Sequence, residues 1–431
     1  MNKSVINKSA GWLMIRVAMA LYIYICVCAS ASAQFSTLAY RTYMDKVVEN
    51  NRGYAAEKLN VSVSDAELAA AKVFNDPSLS VEYANNDDSR MKMGQSVAVE
   101  LGKTFSLGKR GANIELARSQ KALDAALLED YFHSLRAEAS LAWLEALKQA
   151  ELYKVKENTY EQIRRLAEAD SIKYSLGEIG EIDAIQTKLE ASMAYNDILQ
   201  ASAELHNSFA ALELWTGGGD NALYRPSGEL HASPRAFDLG WLQQTALDNR
   251  ADLAAALKNV DVARKALTVT RRDRRTDFDL ALGYNYNTEV KNSIAPAPRF
   301  SGLTVSVGIP LRLSNVNKGA VRAAELRMKQ AEFNYEQAEL EVLNSVARNL
   351  RTYTSFEEQA RRYDNGLLKD AQTVMEGKIY SYNRGETTLL EVLDARRTYD
   401  DVRTGYIETL CNATAALIAL ERSVGLWDIE F

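Results

Sequence analysis

The side chains able to do chemistry are thinly spread. The chain has three histidines, His133, His206 and His231, far apart in sequence. Cys26 and Cys28 fall in a leader-like stretch and Cys411 is the remaining cysteine. Once that leader is removed no internal disulfide can form. Met91 and Met93 could touch a soft metal ion, but a methionine pair in a loop is more often incidental. The sequence shows no metal-ligand spacing, nucleophile motif or phosphate loop. The expectation is a protein that is not an enzyme, with no catalytic residue, no metal site and no cofactor. The pair with most to offer is Glu391 and Asp394. Three residues apart, they share one face of a helix, where carboxylates favour cations and repel anions. An ordinary solvated helix face is the alternative.

The elements that must carry such residues are marked by proline and glycine. The six prolines are Pro77, Pro226, Pro234, Pro296, Pro298 and Pro310. None lies between Ser78 and Arg225 or between Leu311 and Phe431, so both tracts are free to be helical. Both are rich in good helix formers. Gly111 and Gly177 are 66 residues apart, and so are Gly319 and Gly385. Lys109-Arg110-Gly111-Ala112 parallels Asn317-Lys318-Gly319-Ala320. Tyr174-Ser175-Leu176-Gly177-Glu178 parallels Tyr382-Asn383-Arg384-Gly385-Glu386. A gapless offset of 208 residues over this length points to duplication.

Each repeat reads the same way. An amphipathic helix (Thr37–Phe74, then Leu239–Arg275) leads to a hairpin. A helix of some 65 residues follows, running about 100 Å at ~1.5 Å per residue, and another helix returns from a glycine turn. Leucine stripes including Leu123, Leu127, Leu340 and Val346 give the packing seam. The expected organisation is a signal over 1–33 and a first repeat over 34–216, with its hairpin at 78–102 and its tip near 177. A linker follows over 217–236, then a second repeat over 237–431, with its hairpin at 278–311 and its tip near 385. Gly177 and Gly385 place both tips at the end away from the strands.

In the hairpins, apolar residues alternate with small or polar ones. Leu79, Val81 and Tyr83 do so in one strand, and Val97, Val99 and Leu101 in the next. Phe278, Leu280, Leu282, Tyr284 and Tyr286 alternate in the third, and Leu303, Val305, Val307, Ile309 and Leu311 in the fourth. A period of two gives one apolar and one polar face. A small soluble sheet packed on helices would satisfy this pattern. So would four staves of an outer-membrane barrel.

Export favours the barrel. Lys3, Lys8 and Arg16 precede an apolar run from Val17 to Val27, and Ala31-Ser32-Ala33 gives a cleavage pattern that leaves Gln34 first. The run is short for a membrane anchor. Neither early cysteine has the pattern of a lipoprotein signal. Losing the leader removes three cations and no acid, moving the net charge from −6 to −9. An acidic exported chain does not look like a nucleic-acid binder. Four strands cannot close a barrel, and lipid does not tolerate open edges. A membrane role therefore requires several copies.

These residues together resemble the TolC-like outer-membrane efflux factors. Asn75-Asp76-Pro77-Ser78-Leu79 enters the first strand as in that family. Leu107-Gly108-Lys109-Arg110 is similar to the "GGKR" of its heavy-metal branch. Val307-Gly308-Ile309-Pro310-Leu311 with Asn315-Val316-Asn317-Lys318-Gly319 is similar to that branch's Pro-Leu-Pro-Leu-Phe-Asn signature, with Arg312 replacing the second proline and Ser the phenylalanine. The likeness is greatest to the cobalt–zinc–cadmium resistance outer-membrane factors.

The resemblance implies a mostly α fold, with duplicated long-helix hairpins in an α-helical barrel. Four strands per protomer would join a trimeric 12-stranded β-barrel. It implies a homotrimer in the lipid of the outer membrane, its helices in the periplasm, meeting a periplasmic adaptor and an inner-membrane RND-type pump. The implied role is a passive efflux duct, with heavy-metal cations as leading cargo. Drug efflux or type I secretion is the second possibility, and a coiled-coil structural surface protein is a reading of another class. At the periplasmic gate the resemblance places Glu391 and Asp394 as acidic rings, Tyr382 as a gate tyrosine and Asp183 as its partner acid. Thr387 stands where some relatives carry a gate arginine. Gly177, Glu178, Gly180, Gly385 and Glu386 fall at the adaptor-contact tips.

Overall fold

Asn51 and Arg250 break the two leading helices. In the computed structural model, residues 36–218, 224–230, 234–311 and 317–428 are described. The proposed 1–33 signal and Arg312–Val316 lie outside them. The first expected helix, Thr37–Phe74, is three pieces: strand β1 (Ser36–Ala39), helix α1 (Tyr40–Asn50) and helix α2 (Arg52–Ala71). Asn51 is extended, and its side chain accepts a hydrogen bond from Tyr54 N at 3.0 Å. It thus caps the new helix. The second, Leu239–Arg275, is likewise α5 (Leu239–Asn249) and α6 (Ala251–Arg272), parted by extended Arg250. Each break is one residue long, so the helical periodicity runs through it unseen.

The four strands are β2 (Ser78–Asn85), β3 (Gln95–Phe105), β5 (Phe278–Asn287) and β6 (Phe300–Gly308), antiparallel in that order. The first hairpin outlasts its expected end at 102, because Lys103, Thr104 and Phe105 pair with Leu280, Asp279 and Phe278. The second stops at Gly308 rather than Leu311, just before Pro310, which has no N–H to donate. The 217–236 linker contains a further strand, β4 (Tyr224–Ser227), which pairs in parallel with β1.

Beyond the strands lie the long helices α3 (Lys109–Ser175, 67 residues) and α4 (Glu181–Trp215). Their counterparts are α7 (Lys318–Arg362), α8 (Leu368–Asn383) and α9 (Leu389–Val424). The second long helix is not continuous as expected. A π-turn at Tyr363–Leu367 separates α7 from α8, and within it Gly366 has φ 138°. That backbone is open to glycine and closed to most other residues.

The core sits partway along the helices, where the short helices pack on them. Trp143 is fully buried against Tyr43, with ring centroids 5.0 Å apart, and against Tyr40 at 5.8 Å. Leu144 of α3 joins Leu242, Val342, Val346, Ile418 and Leu420 of the second repeat in the matching cluster. Leu123 and Val346 of the expected seam are buried, but Leu127 and Leu340 remain exposed.

Candidate functional site

Two places are candidates for function: the sheet at one end and the helical tips at the other. Register fixes the sheet. Leu79, Leu101, Leu282 and Val305 form one row, and Val81, Val99, Tyr284 and Leu303 the next. These residues share the apolar face, and it is uncovered: Leu303 is 87 % and Val305 67 % exposed. The opposite face carries Ser80, Glu100, Gly283 and Thr304 in one row, and Glu82, Ala98, Asn285 and Gly302 in another. β2 and β6 each have one partner, so the sheet has two open edges. A bare apolar face with open edges is stable in lipid only when the edges are joined to other strands. Among the described residues, no helix is long and apolar enough to cross a membrane.

Height agrees. Tyr83 and Tyr286 lie towards the loops, while Phe105 and Phe278 stack at 5.2 Å near the helices. The eight steps from Phe278 to Tyr286 advance about 27 Å at ~3.4 Å each. A tilt of ~40° leaves roughly 21 Å of height, near the ≈25 Å apolar band between aromatic girdles of an outer-membrane barrel.

At the other end both turns have the same form. Gly177 and Gly385 adopt φ of 76° and 75°, and an added Cβ would meet nothing within 4 Å at either. Glycine is there for its left-handed backbone, not for space. Glu178 N returns to Lys173 O, and Glu386 N to Ser381 O, both at 2.9 Å. Gly180 and Thr388 are extended caps of the returning helices, and Thr388 accepts from Glu391 N. Thr388 is thus a side-chain N-cap of the returning helix.

Tyr382 lies between the repeats. Its hydroxyl donates to Asp170 Oδ1 at 3.1 Å, and Lys173 Nζ sits 4.6 Å from its ring centroid. The expected partner acid was Asp183; within this chain the partner is Asp170. Asp183 lies in the first turn of α4 and contributes only charge, helping to hold the Asp170 and Tyr382 pKa values up. Asp170 is fully buried, and that burial is the main cause of its raised pKa. Burial, then the neighbouring Asp170, raises Tyr382.

Glu391 is held from two sides, by Lys378 Nζ and by the Thr387 hydroxyl, each 2.5 Å from Oε2. Lys378 is the first cause of its lowered pKa. Asp394 is exposed, one turn on, with no ion-pair partner among the described residues. Glu386 pairs with Arg384 at 3.1 Å. The structure thus brings Tyr382, Thr387 and Glu391 to the second tip and its flanking turns. Glu178 and Gly180 are on the first. Asp170, Lys173 and Lys378 escaped the sequence reading. Asp170 and Lys173 share the three-residue spacing of an ion pair, but that spacing is common on helices and says nothing of burial. Among the described residues, no group of three or more His, Cys, Asp or Glu is placed to hold a metal ion.

Comparison with known proteins gives one answer at several lengths. Residues 242–426 match the profile of the outer membrane efflux protein family. The chain is 22 % identical over 378 residues to the cobalt-zinc-cadmium resistance protein CzcC of Cupriavidus metallidurans, covering 87 % of each. It is 24 % identical over 327 residues to the outer membrane protein TolC of Vibrio cholerae, covering 73 % of this chain and 70 % of that one. Its fold matches crystal structures of the transmembrane channel CusC with a TM-score of 0.75 at 18 % identity, over 92 % of this chain and 96 % of that one. The profile falls on the second repeat and the fold extends it through the first, with a bare-faced sheet above paired helical tips. The second repeat thus carries the match to the outer membrane efflux protein family, and over nearly its whole length the chain is similar to outer-membrane efflux proteins of the TolC kind.

Proposed function

We propose that this protein is the outer-membrane duct of a tripartite pump that expels heavy-metal cations. The observation that carries the reading is the sheet: four strands with an uncovered apolar face and two open edges. Three copies would supply twelve strands and join every edge. The proposed leader over 1–33 would send the chain out of the cytoplasm. The duct is passive. The helices deliver cargo to the barrel, and an inner-membrane RND-type pump supplies the energy.

The tips are the proposed gate and adaptor contact. Leu176 and Ile182, which flank the first turn, are 68 % and 74 % exposed. Exposed apolar residues at a tip suit a periplasmic adaptor. In a trimer, Glu391 and Asp394 would place six carboxylates around the axis, a constriction that favours cations. Metal cargo is further supported by the likeness to a cobalt-zinc-cadmium resistance protein. The test is susceptibility of a deletion strain, with and without the restored gene, to zinc, cobalt, cadmium and copper and to dyes and detergents. Selective metal sensitivity that the gene reverses is the expected result. Sensitivity to dyes and detergents alone would turn the cargo reading towards drug efflux.

A further inference from the structure

The roots of the strands carry charge of the opposite sign to the chain. The whole sequence has a net charge of −6. Yet the junction stretches 72–76, 103–110, 271–277 and 317–322 hold ten basic residues and three acids. Some of these cations are committed. Lys109 pairs with Asp277 at 2.6 Å, and Arg271 with Glu325 at 3.0 Å. Lys103 and Arg110 have no carboxylate partner among the described residues.

Their surroundings are apolar and aromatic. Lys103 follows Val97, Val99 and Leu101 on the bare face of β3. Its ammonium lies 5.9 Å from the ring centroids of both Phe74 and Phe105. The Arg110 guanidinium lies 3.8 Å from the Phe74 centroid. Phe105 in turn stacks on Phe278. Phe74 is 66 % exposed, although two cations flank it. Arg110 Nε and Nη2 donate to the Lys72 carbonyl. A guanidinium has five N–H donors, so three are left, held in place by the ring and the carbonyl.

We propose that Lys103, Arg110 and Phe74 form a binding site for the phosphodiester of an anionic phospholipid in the leaflet nearest the helices. Three features select that occupant. The site continues the apolar face without a gap, so acyl chains have a surface beside the headgroup. Its aromatic rings stand where interfacial rings belong. Its cations are unpaired, and an arginine already fixed on a ring presents its remaining donors to phosphate oxygens at little ordering cost. Lys103 reaches the same level by extending its stem over apolar neighbours. The site would fix the barrel's height in the bilayer.

The proposal rests on the barrel reading, and the test separates the two. The purified oligomer in a non-ionic detergent receives equal amounts of dioleoyl phosphatidylglycerol and dioleoyl phosphatidylcholine, and native mass spectrometry counts the lipid retained. The wild type should retain the anionic lipid at least about five-fold more, in line with the pull of basic residues on anionic lipid. K103Q/R110Q should bring the ratio near one, whereas K103R/R110K should keep most of it. K369Q/R351Q, which removes two exposed charges far from the strands, should leave it unchanged. Excess inorganic phosphate should not displace the lipid. An intact oligomer with no preference, or one that K103Q/R110Q leaves untouched, would overturn the lipid site alone. Displacement by phosphate would make it a free-anion site. Failure of the wild type to form an oligomer would overturn the barrel reading as well.

Discussion

At the scale of single residues, the tip is held by one buried acid and one tyrosine. Removing the Tyr382 hydroxyl leaves Asp170 buried with the Lys173 ammonium 3.8 Å away as the cation beside it. A lost hydrogen bond to a buried acid costs about 1–3 kcal/mol. Tyr382→Phe should therefore loosen the contact between α3 and α8 and raise single-channel conductance in planar bilayers, with the oligomer intact. Unchanged conductance would remove this pair from the gate. A second residue acts far from the tip. Burial, then the nearby Asp428, pushes Glu421 up to about 9. In the unfolded chain the same carboxyl ionises near ~4.3. Between those values the folded chain holds a proton that the unfolded chain releases, so its stabilising contribution is full at low pH and fades as pH rises. Glu421→Gln should match the wild type in melting temperature at pH 5 and exceed it at pH 8.5. Parallel curves for the two proteins would contradict the assignment.

At the scale of elements, glycine conformation separates turns that need a left-handed residue from a bulge that needs glycine outright. Gly177→Ala and Gly385→Ala bring no clash and should each cost about 1–2 kcal/mol. Gly366, at φ 138°, lies outside the region other residues reach, and Gly366→Ala should cost more, up to about 3 kcal/mol. Thermal unfolding of the three variants checks the order; an equally mild Gly366→Ala would contradict it. The same contrast explains what the sequence could disclose. A glycine in an unbroken helical tract and a period of two in a strand are local signals, so the turns and the four strands are visible in the chain. The π-turn at Tyr363–Leu367 leaves the repeat length unchanged and is silent. Asn51 and Arg250 break helices without interrupting their periodicity. The pairing of β1 with β4 joins segments nearly two hundred residues apart, each four residues long. Neither has enough alternation to announce a strand. Asp170 was hidden for a related reason: an acid on a polar helix becomes distinctive only when a tyrosine from the other repeat covers it.

At the scale of the whole molecule, a protomer is an unfinished object. The core around Trp143 and Leu144 is closed. The sheet is open at both edges, and apolar residues such as Leu127, Ile185, Leu189 and Leu340 remain exposed along the long helices. Surfaces of this kind are covered by a partner or by lipid. Three copies would join the sheet edges, enclose the helices around one axis and turn the polar sheet face, with Glu82 and Glu100, to the lumen. The measurement that tests this most directly is the mass of the purified, detergent-solubilised protein by multi-angle light scattering, corrected for detergent. The account predicts three chains per particle, falling to one after boiling. A particle of one chain before heating would leave the sheet edges unjoined and contradict the duct.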